Sequence, residues 1–121
     1  MTLQAVNLEQ KLARFSDHWS PKIIAEMNSH QFKLVRFQGE FVWHTHDDTD
    51  EVFIVLGGAM VIHFREGDVQ VEAGELFVVP RGKEHKTSAK VECQALIIEK
   101  AGTVNTGNTG GVMTAPADSW I

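Results

Sequence analysis

His44-Thr45-His46, with Glu51 five residues after His46, is the stretch of sequence that decides how this chain is interpreted. Side chains two residues apart on a β-strand point to the same face, so His44 and His46 are predicted to project together. Glu51 opens the next predicted strand after a polar turn over residues 47–50, which lets its carboxylate return beside the two imidazoles. Imidazoles and a carboxylate on one face are typical of a divalent-metal site.

Most of the surrounding chain is predicted to form short strands separated by turn residues. The predicted strands cover residues 22–27, 31–37, 41–46, 51–56, 60–65, 69–72, 75–79, 85–89 and 91–100. A helix is predicted over residues 7–15, with Asn7 as its N-cap. Many short strands with a turn at roughly every eight residues are typical of a sandwich or barrel, so the predicted fold is all-β with a short N-terminal helix.

A second pattern downstream supplies a third imidazole. Gly74 precedes one predicted strand, and the turn after that strand contains Pro80 and Gly82. His85 begins the strand that follows. A side chain at a strand start, directly after a turn, can reach the mouth of a barrel. His85 is therefore predicted to lie at the same end of the sheet as the first stretch.

Together the two patterns resemble the two motifs of the cupin superfamily, in its small single-domain form. The first motif, Gly-x(5)-His-x-His-x(3–4)-Glu-x(6)-Gly, is matched by Gly39, His44, His46, Glu51 and Gly58. The second, Gly-x(5)-Pro-x-Gly-x(2)-His-x(3)-Asn, is matched by Gly74, Pro80, Gly82 and His85. Two positions depart from the motifs: four residues rather than five separate Gly39 from His44, and Ala89 stands in place of the Asn.

The resemblance implies a jelly-roll β-barrel, or double-stranded β-helix, over residues 21–100. It also implies that His44, His46, Glu51 and His85 bind the metal. A helical segment over residues 1–20 precedes the barrel. Residues 101–121 form a tail that is predicted to pack on the barrel or on a dimer partner, because leaving its apolar residues in water would be costly.

The residue types also restrict the metal. Three imidazoles and one carboxylate suit a divalent transition metal such as Mn, Fe, Ni or Zn better than Ca or Mg. Phe53 and Val55 share the predicted inward face of Glu51, and a carboxylate facing such an apolar interior is costly unless it binds a cation. Four protein ligands on an octahedral ion leave two adjacent positions open for water or a substrate.

Two further residues are weaker candidates for the chemistry. His63 could line the cavity as a base, or it could be a partly exposed strand residue. Arg36 could hold a substrate carboxylate, although an arginine on this strand could equally be solvated. No catalytic residue is assigned beyond these two.

Three functions remain open from the sequence. The first is a metal-dependent enzyme of oxygenase, isomerase or decarboxylase type, acting on a small polar metabolite that chelates the metal. The second is a non-catalytic module that binds or senses a small molecule, because the pattern supplies no clear general base apart from the ligands and His63. The third is a metal-free scaffold. Fold alone does not choose between them, because one fold hosts many reactions.

The composition narrows the partners and the compartment. The chain has 11 basic and 16 acidic residues, a formal charge of −5, so nothing in its charge indicates nucleic acid. Cys93 is the single cysteine, which excludes an internal disulfide. The sequence has neither a signal-peptide pattern nor an apolar segment of membrane-spanning length, so no membrane partner is expected and the cytoplasm is the expected compartment.

The predicted strand over residues 51–56 is apolar on both faces. One face can point into the barrel, and either the N-terminal helix or a second subunit must cover the other. A homodimer with a small-molecule ligand or substrate is therefore the expected assembly.

Overall fold

The computed structural model of the protein describes residues 3–121, and over this range it contains a short helix and seven strands. The elements are α1 (Leu8–Leu12), β1 (Lys22–Met27), β2 (His30–Glu40), β3 (Glu51–Gly57), β4 (Ala59–Phe64), β5 (Gly67–Glu72), β6 (Leu76–Val79) and β7 (Lys86–Lys100). Asn7 caps α1 as predicted, since its side chain accepts from the backbone N–H of Gln10 at 2.9 Å. Within the described range, no helix is both long and apolar enough to cross a membrane.

The long strand β7 pairs with three other strands, β2, β3 and β4. Five strands are hydrogen-bonded in the order β1-β2-β7-β3-β6, and the β4–β5 hairpin attaches to the first residues of β7. All of these pairings are antiparallel. The predicted all-β jelly-roll barrel with a short N-terminal helix is thereby confirmed.

Two apolar clusters hold the barrel together. The larger fills its interior and includes the buried side chains of Phe37, Val55 and Ile62. The smaller lies on the outside of the sheet, where Leu12 of α1 packs with Leu34 of β2. The helix therefore covers one outer face of the sheet with its apolar stripe.

Strand β3 is apolar on both faces, and each face packs against a different apolar cluster. Phe53 points into the interior cluster, whereas Ile54 and Leu56 pack against the cluster beneath α1. On the neighbouring edge strand β6, Leu76 and Val78 are 59% and 49% exposed. The chain itself thus covers part of this outer apolar face, and the rest lies open at the sheet edge.

Residues 41–46 do not form the strand that the sequence predicts. Within that segment only His44 pairs, in an isolated antiparallel bridge with His85. Thr45 N donates instead to Asn108 Oδ1 at 2.9 Å, and Asn108 N donates to Thr45 O at 3.1 Å. The segment lies at the end of the barrel, where the C-terminal tail satisfies backbone groups that a neighbouring strand would otherwise pair.

Other predicted boundaries also differ from the structure, and the helix predicted over residues 7–15 covers only Leu8–Leu12. The predicted strands over 85–89 and 91–100 form the single strand β7, because antiparallel pairing with β2 runs past Lys90. Strand β2 is longer than predicted and contains a register shift between Phe37 and Gly39. Gly39 has φ +85°, a conformation that only glycine adopts without strain, and this allows the bulge.

The C-terminal tail, residues 101–121, packs against the barrel of its own chain. Its last residues run parallel to β1: Ile23 N donates to Ser119 O at 2.7 Å, and Ile121 N donates to Ile23 O at 3.1 Å. Near the start of the tail, Asn105 donates to the carbonyls of Trp19 and Met113, both at 3.0 Å. The tail is therefore tied to the barrel at several separate points.

Candidate metal centre and its cavity

The structure brings the four predicted ligands together at one end of the barrel. One ligand atom from each of His44, His46, Glu51 and His85 lies within 4.8 Å of the others, and all four residues are buried. Glu51 lies between two imidazoles, with His46 Nε2 3.6 Å from its Oε2 and His85 Nε2 3.4 Å from its Oε1. Four donors at such separations can surround a single cation.

Backbone pairing places the first and last of these histidines opposite one another. His44 N donates to His85 O at 2.9 Å, and His85 N donates to His44 O at 3.0 Å. Directly paired residues project their side chains to the same face, so the two ring centroids lie 4.4 Å apart. Glu51 is the first residue of β3 and pairs with Val79 of β6.

The imidazole tautomers are fixed by backbone carbonyls. His44 Nδ1 lies 2.8 Å from Val42 O, and His85 Nδ1 lies 2.9 Å from Lys83 O. A carbonyl only accepts, so each Nδ1 carries the hydrogen and each Nε2 keeps a free lone pair. This arrangement orients an imidazole for metal binding.

Several atoms at the centre of the cluster lack partners. Among residues 3–121, nothing hydrogen-bonds to His46 Nε2, His85 Nε2 or Glu51 Oε1, although all three atoms are buried. Buried polar atoms in proteins are almost always paired, and a cation bound between these atoms would satisfy all three together. The donor set therefore fits a divalent transition metal.

Burial sets the protonation of the ligands. Desolvation lowers the pKa of His44 to about 3, and it also lowers the pKa of His46 and of His85. Desolvation has the opposite effect on a carboxyl group and raises the pKa of Glu51. The imidazoles are consequently neutral, which is the form that binds a metal, and the carboxylate needs a cation beside it.

A cavity with aromatic walls opens beside His44 and Glu51. Its apolar wall is built around Trp19, whose ring stacks on Phe37 at 4.8 Å and on Phe41 at 4.7 Å between centroids. The cavity has a volume of about 410 Å³ including its open mouth. The enclosed part of the cavity is much smaller, because this volume includes the open solvent at the mouth.

The backbone at the cavity wall is strained. Trp19 has φ +61°, a conformation that costs a bulky residue about 1–2 kcal/mol. Two hydrogen bonds hold it there, from Trp19 N to Arg36 O at 2.9 Å and from Asn105 Nδ2 to Trp19 O at 3.0 Å. These two bonds therefore hold the indole in place against the rings of Phe37 and Phe41.

The sequence analysis missed two polar residues close to the ligands. Glu99 of β7 lines the same cavity, and Lys33 of β2 forms a buried ion pair with it. The strand pattern could have identified Lys33, because residues 33, 35 and 37 lie on the same face of β2 and Val35 and Phe37 point into the barrel. A lysine in an inward set must be paired inside the barrel.

The two weaker candidates lie away from the ligands. His63 projects from the outer side of β4, where its Nδ1 lies 2.9 Å from Asp68 Oδ1 and its Nε2 lies 2.7 Å from Ser88 Oγ. Arg36 lies beneath α1, where it donates to Glu92 Oε1 at 2.6 Å and to the carbonyl of Leu12 at 2.9 Å. Neither side chain lines the aromatic cavity.

Comparison with known proteins agrees with this geometry. The family model described as a cupin domain matches residues 33–99, a range that contains all four candidate ligands. The YdbB protein of Bacillus subtilis strain 168 is 36% identical over 96 residues, which cover 78% of this chain and 79% of YdbB. A cupin-2 domain protein of Shewanella frigidimarina is 55% identical, with a TM-score of 0.77, over 78% of this chain and 93% of that one. NMB1881 of Neisseria meningitidis is 33% identical, with a TM-score of 0.74, over 80% and 99% of the two chains.

Proposed function

The chain belongs to the cupin family, and on that premise we propose that it is a metal-dependent enzyme acting on a small metabolite that chelates the metal. The observation that carries this proposal is the convergence of three imidazoles and one carboxylate, with unpartnered buried atoms, beside an open cavity. The reaction classes that fit are oxygenation, isomerisation and decarboxylation. Each uses an oxygen group of the substrate brought next to a metal.

The residues of the chain have distinct parts in this proposal. His44, His46, Glu51 and His85 would hold the metal, and the metal, when bound, would supply a Lewis acid or a redox centre at the cavity floor. The carbonyls of Val42 and Lys83 keep two imidazoles in the ligating tautomer. The stacked aromatic wall excludes water and limits the cavity to a flat or slender molecule.

A second candidate function is binding or sensing without turnover. It is favoured by the position of His63, which the outer hydrogen bonds keep away from the cavity. Within residues 3–121, the ionisable groups that line the cavity are His44, Glu51 and Glu99, so few groups are available to move a proton. A ligand that chelates the metal and fills the cavity is compatible with this binding function as well as with the enzyme.

The experiment begins with the metal content of protein purified without an affinity tag. About one equivalent of a transition metal is expected, and less than about a tenth of an equivalent after reconstitution would contradict the proposal. A thermal-shift screen of metabolites with the metal present then identifies ligands. Product formation from a ligand, abolished in His46→Ala, supports the enzyme. Tight binding with no product supports the binding module.

We also propose that two copies associate through the outer apolar face at the β3–β6 edge. The exposed side chains of Leu76 and Val78 support this, and unpaired apolar edge strands are usually covered in proteins. A light-scattering mass of two chains at micromolar concentration is expected. The double variant Leu76→Lys/Val78→Lys should give the mass of one chain, and a wild-type mass of one chain would contradict the proposal.

A further inference from the structure

One ion pair lies inside the barrel in addition to the four candidate ligands. Lys33 and Glu99 are each 2% exposed, and Lys33 Nζ donates to Glu99 Oε1 at 3.0 Å. Lys33 Nζ also donates to the carbonyl of Thr103 at 3.1 Å. Removing two charges from water is costly, and apolar residues of similar volume often stabilise a core equally well. Stability is therefore a weak explanation for this pair.

Glu99 is held through only one of its two carboxyl oxygens. In the part of the chain that the structure describes, its other oxygen, Oε2, is buried and receives no hydrogen bond. Burial and the adjoining carboxyl group of Glu51 raise the pKa of Glu99, because two ionised carboxylates side by side repel each other. A buried acceptor without a donor is costly, and the cost disappears if a bound ligand supplies the donor.

The position of Glu99 shows where such a ligand would lie. Glu99 lines the aromatic cavity together with His44 and Glu51, so its carboxyl group and the candidate metal centre border the same cavity. We propose that Glu99 accepts a hydrogen bond from a hydroxyl or amino group of the substrate, and that Lys33 holds Glu99 in place for this contact. The inference rests on the proposed function, because the same substrate would bind the metal through an oxygen group.

The cavity then defines the class of substrate by three features. The first is an oxygen group that binds the metal. The second is a separate hydrogen-bond donor directed at Glu99. The third is a flat apolar body that fits against the stacked rings of Trp19, Phe37 and Phe41. Glu99 is thus a residue that determines specificity, because a substrate without the donor leaves a buried carboxylate oxygen unpaired.

A series of aromatic hydroxamates tests this assignment. Benzohydroxamate has a metal-binding group and a flat body, and its 2-, 3- and 4-hydroxy derivatives each add one donor at a different position. Binding of each compound is measured by calorimetry on protein loaded with one equivalent of Zn²⁺. On the wild-type protein, at least one hydroxy derivative is expected to bind about tenfold or more tightly than the parent, as expected for one added hydrogen bond to a buried carboxyl group.

The test variant replaces both members of the ion pair, Lys33→Met/Glu99→Met, so that neither charge is left buried alone. If this variant does not fold, Lys33→Leu/Glu99→Leu takes its place. The matched control is Arg36→Met/Glu92→Met, which removes another ion pair between β2 and β7, with Nη1 and Oε1 2.6 Å apart outside the cavity. Zinc content is measured for every protein before the ligands are added.

The inference predicts that the test variant loses the affinity gain of the hydroxy derivative, while the control keeps it. Zinc content and affinity for the parent hydroxamate should be the same in all three proteins. The inference is overturned if no derivative gains affinity on the wild type, if the gain persists in the test variant, or if that variant loses its zinc. Failure of the proposed function is distinguishable, because the wild-type protein would then hold no zinc.

Discussion

The inner histidines and the outer His63 differ in what their ring nitrogens contact, although all of them belong to the same barrel. Both nitrogens of His63 are hydrogen-bonded, Nδ1 with Asp68 at 2.9 Å and Nε2 with Ser88 at 2.7 Å. His85 instead binds the carbonyl of Lys83 with Nδ1, and within the described chain its buried Nε2 has no partner.

This difference shows that the partners of an imidazole, rather than its residue type, indicate its function. An imidazole with both nitrogens satisfied contributes to a polar outer surface and needs nothing more. An imidazole with one nitrogen fixed and the other facing a carboxylate is prepared for a cation. The predictions below test this distinction, beginning with the largest expected effect.

Removal of one inner imidazole should abolish metal binding, and removal of the outer imidazole should not. Four ligands together contribute about 10–16 kcal/mol to zinc binding, so loss of one is expected to weaken affinity by more than about 100-fold. His46→Ala should therefore hold less than about a tenth of an equivalent of metal, whereas His63→Ala should match the wild type. Elemental analysis after dialysis measures both. Equal metal content in the two variants would show that the inner and outer imidazoles do not differ in metal binding.

The C-terminal tail should contribute to stability where Gly107 contacts Thr45 and His46. A Cβ added at Gly107 would lie 2.1 Å from the carbonyl oxygen of Thr45 and 3.3 Å from His46 Nδ1. Gly110 is the matched control, because its φ of +66° is similar to the +55° of Gly107 but nothing lies within 4 Å of an added Cβ. Gly107→Ala is expected to lower the free energy of unfolding by about 2 kcal/mol more than Gly110→Ala does.

Urea unfolding measures this difference in stability. Metal titration of the same proteins shows whether the substitution also weakens metal binding. Weaker metal binding is expected in Gly107→Ala alone. If both variants lose the same stability and bind metal equally well, the tail does not support the ligand segment.

Acid should destabilise the metal-free protein through its inner histidines. Burial lowers the pKa of His44 from its ordinary 6.5 to about 3, so between these values the unfolded chain binds the extra proton and the folded chain does not. The free energy of unfolding therefore falls as pH is lowered from about 6.5 towards 3, by about 1.4 kcal/mol per pH unit from this group.

Comparison with His44→Gln isolates this contribution. The raised pKa values of Glu51 and Glu99 give the opposite slope, and they are present in both proteins. Unfolding in urea with EDTA at several pH values should therefore show a shallower decline in the variant. Parallel curves for the two proteins would show that His44 is not buried in the neutral form.

The smallest effect is expected at the outer imidazole. Ser88→Ala removes the hydroxyl that lies 2.7 Å from His63 Nε2, at a site open to water. The expected loss of stability is about 0.5–1 kcal/mol, with no change in metal affinity. A change in metal affinity of tenfold or more would show that the outer and inner clusters are coupled.

The fold and its family could be predicted from local information. The spacing from His44 to Glu51, and the turn residues around His85, are properties of short segments, and the prediction of a cupin barrel is confirmed. The four candidate ligands do converge as the spacing indicates, although His44 and His46 do so from a loop with a single bridge rather than from a strand. The local sequence determined the spacing of these side chains, but it did not determine whether residues 41–46 form a strand or a loop.

The surroundings of the ligands could not be predicted in the same way. Lys33 and Glu99 are 66 residues apart, and Thr45 and Asn108 are 63 residues apart. Neither pair forms a motif, because the partners meet only after β2 and β7 have paired and the tail has folded back over the barrel end. The placement of His63 and Arg36 outside the cavity likewise depends on which face of each strand became the interior.

The order of residues alone therefore determined a jelly-roll barrel with imidazoles and a carboxylate at one end, because alternation along strands and turn chemistry act over a few residues. Tertiary structure alone decided which polar groups are satisfied and which are left open towards the cavity. The physical reason is that burial and hydrogen bonding depend on contacts between distant segments, and these contacts exist only once the barrel has closed.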